Sequence, residues 1–387
     1  MIFIQRTLPL LFGIFLLSVA VRLPLLDRPL SKHHEFCTAV SLRVLQAWYD
    51  EGIENFHYNP VMNYSAPTDK FINNHANTTG KMVDANGNFY YVSHPPLAYY
   101  VPYYAFKILH IRPDVLPLQV FNLVLNLISA LFIYFTVCLL SFNRARSLPY
   151  RPALVAYAIY LFLPATLWFQ GNVYMSDMAV HTLYIIGVYI ALKMIIRQKF
   201  YSPKYIGFYV LALGLMIYTS WLGVFFAAGV LVYSLLHVHD NKGFRVLIWS
   251  TLLVGILMLR TIVYQYAQIN GPGAYLSEMI SRYMVRGSLA ETQSGLLHFV
   301  FGYLWMAGKI IMNYSMHYAM VFLWLLWFMW IVMSRKKLKI VFSQNGYRFI
   351  WLSVMPVVML HVVFMNYSGH DFTVLYASLF FSVLIGI

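Results

Sequence analysis

Residues 8–36 read LPLLFGIFLLSVAVRLPLLDRPLSKHHEF, and this stretch decides the fold. Its first part, residues 8–26, is apolar over the length needed to cross a bilayer. It ends in RLPLLDRP without the small-residue site of a cleaved signal peptide, so it reads as an uncleaved first span. Four charged residues and two histidines follow within nine positions, closing on His33, His34 and Glu35. A span running directly into acids and imidazoles places ionisable chemistry at a membrane surface, where such groups are costly and usually functional.

Working outward, nine further apolar segments alternate with polar loops: residues 116–140, 152–169, 178–196, 205–218, 221–236, 246–264, 318–333, 349–366 and 374–387. If Met1 begins in the cytoplasm, every second loop is basic, including FNRARSLPYR (142–151), RQKFYSPK (197–204), DNKGFR (240–245) and SRKKLK (334–339). That face collects fifteen Lys and Arg against one acid, Asp240; the opposite face carries twelve bases and twelve acids, so the whole +14 lies on one side. This is the positive-inside pattern, and it predicts an all-α polytopic membrane protein of about ten transmembrane helices with a cytoplasmic N-terminus. With 60% apolar and 10% charged residues, an ordinary soluble domain is excluded. The basic excess orients the chain against anionic lipid and implies no nucleic-acid partner. Two cysteines give neither a disulfide framework nor a metal spacing.

The expected extracytoplasmic segments are 27–115 and 265–316. In the first, TAVSLRVLQAWYDEG (38–52) sets Val40, Val44, Ala47 and Trp48 on one helical stripe, an interfacial helix. VDANGNFYYVS (83–93) reads as a hairpin turned at Asn86-Gly87. Residues 274–286 and 296–312 are further interfacial candidates. Counting residues 95–110 or 296–312 as full spans would push basic loops outside, so parity argues against both. Residues 1–387 read as one membrane domain that stops inside an apolar run, as a fragment does.

Several residues carry candidate chemistry. Glu35, at the edge of a low-dielectric site, has the setting of a general base, or simply of a solvated loop acid. Asp177 and His181 in YMSDMAVH share a helix face, although an acid at a helix start also serves as a cap. His94 precedes two prolines and either punctuates the chain or positions a substrate. Arg282 and Arg286, four apart, together with Arg260, suit a phosphate group or anchor the helix at the interface. His370 and Asp371 share a short turn. The histidines and acids admit a divalent metal without requiring one, since no compact ligand spacing is present.

In order along the chain, HHEF (33–36), GNFYYVSHPPLAYYVPYYAFKIL (87–109), VFNLVLNLISALFIY (120–134), YMSDMAV (174–180), YTSWLGVFFAAGVLVY (218–233) and GHDFTVLY (369–376) resemble the GT-C lipid-sugar-dependent glycosyltransferases. The protein O-mannosyltransferase and aminoarabinose-transferase group is the nearest in pattern. Here His34-Glu35 stands where that family has Asp-Glu. The resemblance implies transfer of a sugar, with inversion, from a polyprenyl-phosphate carrier to a glycan, lipid or protein acceptor outside a bacterial plasma membrane. It implies Glu35 as base with Asp177 orienting or sharing that role. His34, His94, His181, Arg260, Arg282, Arg286 and His370 would contact the substrates. The rival readings are a lipid or sugar transporter or flippase, and an inactive lipid-sugar-binding relative. The absence of internal repeats weighs against the transporter.

Overall fold

The computed structural model describes residues 2–71, 81–141, 150–287, 296–334 and 343–387. Backbone polar groups in lipid must be satisfied within the segment, so the long apolar runs can only be helices. They are α1 (Ile2–Arg22), α2 (Glu35–Glu51), α3 (Leu97–Ile108), α4 (Val115–Ser141), α5 (Tyr150–Phe162), α6 (Pro164–Asn172) and α7 (Ser176–Ile196). After these come α8 (Pro203–Ile217), α9 (Trp221–His237), α10 (Phe244–Arg286), α11 (Leu296–Ser334), α12 (Gln344–Val363), α13 (Met365–Ser368), a 3-10 turn over Asp371–Ala377 and α14 (Ser378–Gly386). One antiparallel hairpin, β1 (Lys81–Val83) with β2 (Phe89–Tyr91), pairs Met82 with Tyr90.

By length and apolarity, six helices qualify as membrane spans (α1, α4, α7, α10, α11, α12). The pair α5–α6, bent by 60°, makes a seventh if taken as one span. The described chain is thus an all-α polytopic membrane protein with six to seven candidate spans rather than ten. The difference lies in α8, α9 and the run Asp371–Gly386, which are apolar but short. At 1.5 Å per residue each reaches about 20–26 Å, under the roughly 30 Å of a hydrocarbon core.

Two features fix the bundle. Arg22, at the end of α1, is fully buried and donates to the carbonyls of Ser18, Leu161, Thr166 and Leu167. It thereby satisfies the acceptors freed where α5 breaks into α6. The α8–α9 pair turns so tightly that a Cβ on Gly223 would lie 2.4 Å from the Met216 backbone. Only glycine permits that approach.

Both regions expected as separate interfacial helices lie inside longer ones. Residues 274–286 continue α10 beyond a break at Asn270–Gly271, and residues 296–312 form the first part of α11, which breaks at Tyr318. The expected amphipathic helix is α2, which buries Val44, Ala47 and Trp48. α3 has only 12 residues, as loop parity requires.

Candidate active site

Glu35 opens α2 and is buried, and its carboxylate receives four donors, three of them on Oε2. Arg28 donates to both oxygens, and the backbone amides of Ser31 and Lys32 donate to Oε2 at 2.9 and 2.7 Å. A carboxylate with four donors is an anchor for the α1–α2 connection.

Asp177, in the first turn of α7, is also buried but held differently. Tyr367 and Tyr376 both donate to its Oδ1, while Oδ2 receives only a 3.3 Å contact from the neighbouring Ser176. Its orientation is therefore fixed mainly through one oxygen, while the other carries a single long hydrogen bond and has capacity to accept a proton. Its charge also reaches Cys37: burial first, and Asp177 second, push that thiol up to about 12, which leaves it unreactive.

Tyr367 connects this carboxylate to a cation. The Arg286 guanidinium lies 4.6 Å over the Tyr367 ring and 5.9 Å from that of Phe364. Arg286 is 3% exposed, and no acid pairs with it among the described residues. Its Nη2 donates to His94 Nε2 at 2.8 Å, whereas Nε and Nη1 are buried without a partner. Because Nε2 accepts, His94 carries its proton on Nδ1 and donates to Ser220 Oγ at 3.2 Å. Burial, and then the charges of Arg286 and Arg282, hold the His94 pKa well below its ordinary value, keeping the ring a neutral acceptor. Beside this group lies an apolar crevice of about 160 Å³ whose wall includes Ser93, Pro95, Ser220, Trp221, Tyr275 and Met279.

The other candidates fall into place around this group. His34 turns its ring to Asp371, which His33 also contacts, each through Nε2 at 2.8 Å. The ligand atoms of His33, His34 and Asp371 all lie within 4.8 Å of one another, so the three could coordinate a divalent metal. The His370 ring stacks on Phe372 at 5.3 Å and lies 5.8 Å from that of His34. His181 does not pair with Asp177. Its Nε2 meets Ser378 at 3.1 Å and its ring stacks on Tyr160. Arg260 stands exposed on α10, before the Asn270 break. Sequence reasoning missed Tyr367 and Tyr376. A tyrosine in an aromatic-rich membrane chain carries no local signal, and these contacts span some 190 residues of sequence.

No protein-family model and no curated protein sequence matches the chain. Solved structures do share its fold. ArnT from Cupriavidus metallidurans, solved with undecaprenyl phosphate, superposes with a TM-score of 0.57 over 99% of this chain at 12% identity. The Archaeoglobus fulgidus oligosaccharyltransferase, tethered to an acceptor peptide containing the NVT sequon, gives 0.51 over 100% at 11% identity. The matches show that the chain shares a GT-C-like fold with these two proteins. The chain spans 59% and 50% of the lengths of these two proteins.

Proposed function

We propose that this protein is a membrane glycosyltransferase that moves a hexosyl or pentosyl group from a polyprenyl-phosphate carrier to a glycan, lipid or protein acceptor, with inversion. The observation that carries this reading is the bridging of Asp177 and Arg286 by Tyr367, whose hydroxyl holds the carboxylate and whose face carries the guanidinium. A base and an unpaired cation so placed match the two charge changes of the reaction. Asp177 Oδ2 accepts the acceptor's hydroxyl proton as its oxygen attacks the anomeric carbon. The bond from that carbon to the phosphate oxygen breaks, its electron pair stays on the phosphate, and the unpartnered Nε and Nη1 of Arg286 stabilise the charge. A single displacement inverts the centre. We assign the base role to Asp177 rather than Glu35, because Arg28 and two backbone amides already hold the Glu35 carboxylate.

The apolar crevice beside His94 would take the first isoprenoid units, with Arg282 near the phosphate. In this reading His34 and His370 would meet the substrates beside Asp177, with His181 and Arg260 further from the reacting atoms. A divalent ion on His33, His34 and Asp371 would add fixed positive charge nearby. Six long helices, the bent pair and three shorter apolar helices would together make ten crossings if the bilayer thins around the short ones. The site would then face the extracytoplasmic side of a bacterial plasma membrane, the N-terminus the cytoplasm. A transporter would need polar groups at midspan between repeats, whereas this polar network gathers at the start of α7 and the end of α10.

Arg286→Gln tests the phosphate assignment. It should weaken binding of polyprenyl phosphate about tenfold or more, measured by competition with a labelled donor. Unchanged competition would remove Arg286 from the site.

A further inference from the structure

We propose that the bundle holds a small cluster of bound water between α4, α6 and α7, behind the turn that carries Asp177. The sequence prepares the place. Asn122, Asn126 and Ser129 recur at positions i, i+4 and i+7, so a polar stripe runs down a largely apolar α4. Side-chain bonds pin this stripe, the end of α6 and the first turns of α7 together. Asn122 Nδ2 donates to the Phe169 and Val173 carbonyls at 3.0 and 2.7 Å. Gln170 Nε2 donates to the Met178 carbonyl at 3.3 Å, and Ser129 Oγ donates to Thr182 at 2.9 Å.

Around these joints many polar atoms have no protein partner. Asn122 Oδ1, Gln170 Oε1, His181 Nδ1 and both side-chain ends of Asn126 and Asn172 are buried without a hydrogen bond. All five residues are 0–1% exposed. An orphaned amide is costly in any interior, and a lipid surround offers it nothing in exchange. Groups of this kind are normally met by ordered water.

The mixture of groups selects the occupant. Amide N–H donors oppose a metal ion, four carbonyl oxygens oppose an anion, and complete burial bars a larger molecule. Water donates and accepts at once, and at about three hydrogen bonds each, roughly two or three molecules satisfy the set. The placement also gives this water a use. Asp177 lies one turn before His181, and its side-chain partners among the described residues are the hydroxyls of Tyr367, Tyr376 and Ser176. Fixed water dipoles behind that turn add to those hydroxyls in balancing a buried carboxylate. This second step rests on Asp177 being the base; the cluster itself does not.

Radiolytic hydroxyl labelling reads bound water directly, because radicals form from water in place and modify the side chains beside it. The full chain in detergent, pulsed with X-rays and analysed by mass spectrometry, should be labelled at His181 and Met178. Met194, equally buried on the same helix, should stay unlabelled. Asn126→Leu supplies a second reading. If the amide holds water, the variant should melt at a lower temperature and lose label at His181. An orphaned amide predicts the reverse, since an apolar side chain of similar size relieves it. Absence of label at His181 and Met178 in the wild type would overturn the cluster, and this decides the matter even where the variant does not fold. An equal or higher melting temperature in Asn126→Leu would overturn it too. Turnover in folded Asn126→Leu should fall about tenfold with polyprenyl-phosphate competition unchanged. Wild-type turnover in that variant would break the link to Asp177 and leave the glycosyltransferase reading intact. No transfer by the wild-type protein would count against that reading and not against the water.

Discussion

Glu35 and Asp177 are both buried carboxylates near the start of a helix, and their partners separate their roles. Glu35 is tied to Arg28, whose side chain is 20% exposed against 1% for Glu35. Removing one member of such a pair strands the other, and Glu35→Ala should cost about 3 kcal/mol of stability. Arg28→Ala/Glu35→Ala should lose much less than the sum of the single variants, in SDS-titrated unfolding. Folded Glu35→Gln should keep most of its turnover. A Glu35→Gln variant with intact stability and abolished turnover would restore Glu35 as the base.

His94 makes a pH prediction. Its pKa is lowered in the folded protein by burial and by the two arginines, from an ordinary value of 6.5. Below about pH 6.5 the unfolded chain therefore binds a proton that the folded chain refuses, and stability falls as pH falls. The slope from this group approaches about 1.4 kcal/mol per pH unit until the folded pKa is reached. His94→Gln, whose carbonyl can still accept from Arg286, should flatten the decline in thermal stability between pH 6.5 and 5. An unchanged slope would mean that His94 titrates normally. At this scale the sequence singled out Asp177, His94, Arg282 and Arg286, because charged groups are conspicuous in an apolar chain. It did not expose the tyrosines that orient them.

Elements with their own local period were legible. The stripe of Val44, Ala47 and Trp48 is the buried face of α2, and the Asn86-Gly87 turn closes the hairpin. Breaks inside long helices were harder, because an apolar run reads the same on both sides of a kink. The break in α10 illustrates the point. Gly271 sits at φ 85, ψ 162, open to essentially no other residue, and Asn270 Nδ2 donates to the Val83 carbonyl of β1 at 2.5 Å. The two together aim the last turns of α10, and thus Arg286, at Tyr367. A Cβ at Gly271 meets nothing within 4 Å, so Gly271→Ala acts through the backbone alone. It should destabilise by about 1–3 kcal/mol and weaken polyprenyl-phosphate binding in the same variant. Weaker binding would be absent if the break did not aim Arg286.

At the scale of the molecule, the charge map and hydropathy made the all-α polytopic class readable, because lipid leaves the backbone few options. The count of spans was less readable. α8 and α9 are largely apolar yet only 15 and 17 residues long, and helix length against bilayer thickness, rather than hydropathy, separates six or seven long spans from ten. The site was legible as a region, the joints between α2, α7, α10 and the turn after α13. Its wiring was not, since Tyr367 and Asp177 meet only after folding. Asp177→Asn is the cleanest probe of that wiring, because its remaining carbonyl oxygen can still accept both tyrosine hydroxyls while the charge is gone.

The most direct measurement is transfer of label from a panel of radiolabelled polyprenyl-phosphate sugars into native membrane acceptors by the purified protein and Asp177→Asn. The account predicts that wild type moves label from at least one donor. The variant should move it at least about 100-fold more slowly while binding polyprenyl phosphate normally. Equal rates in the two proteins, or no transfer from any donor despite lipid binding, would contradict it.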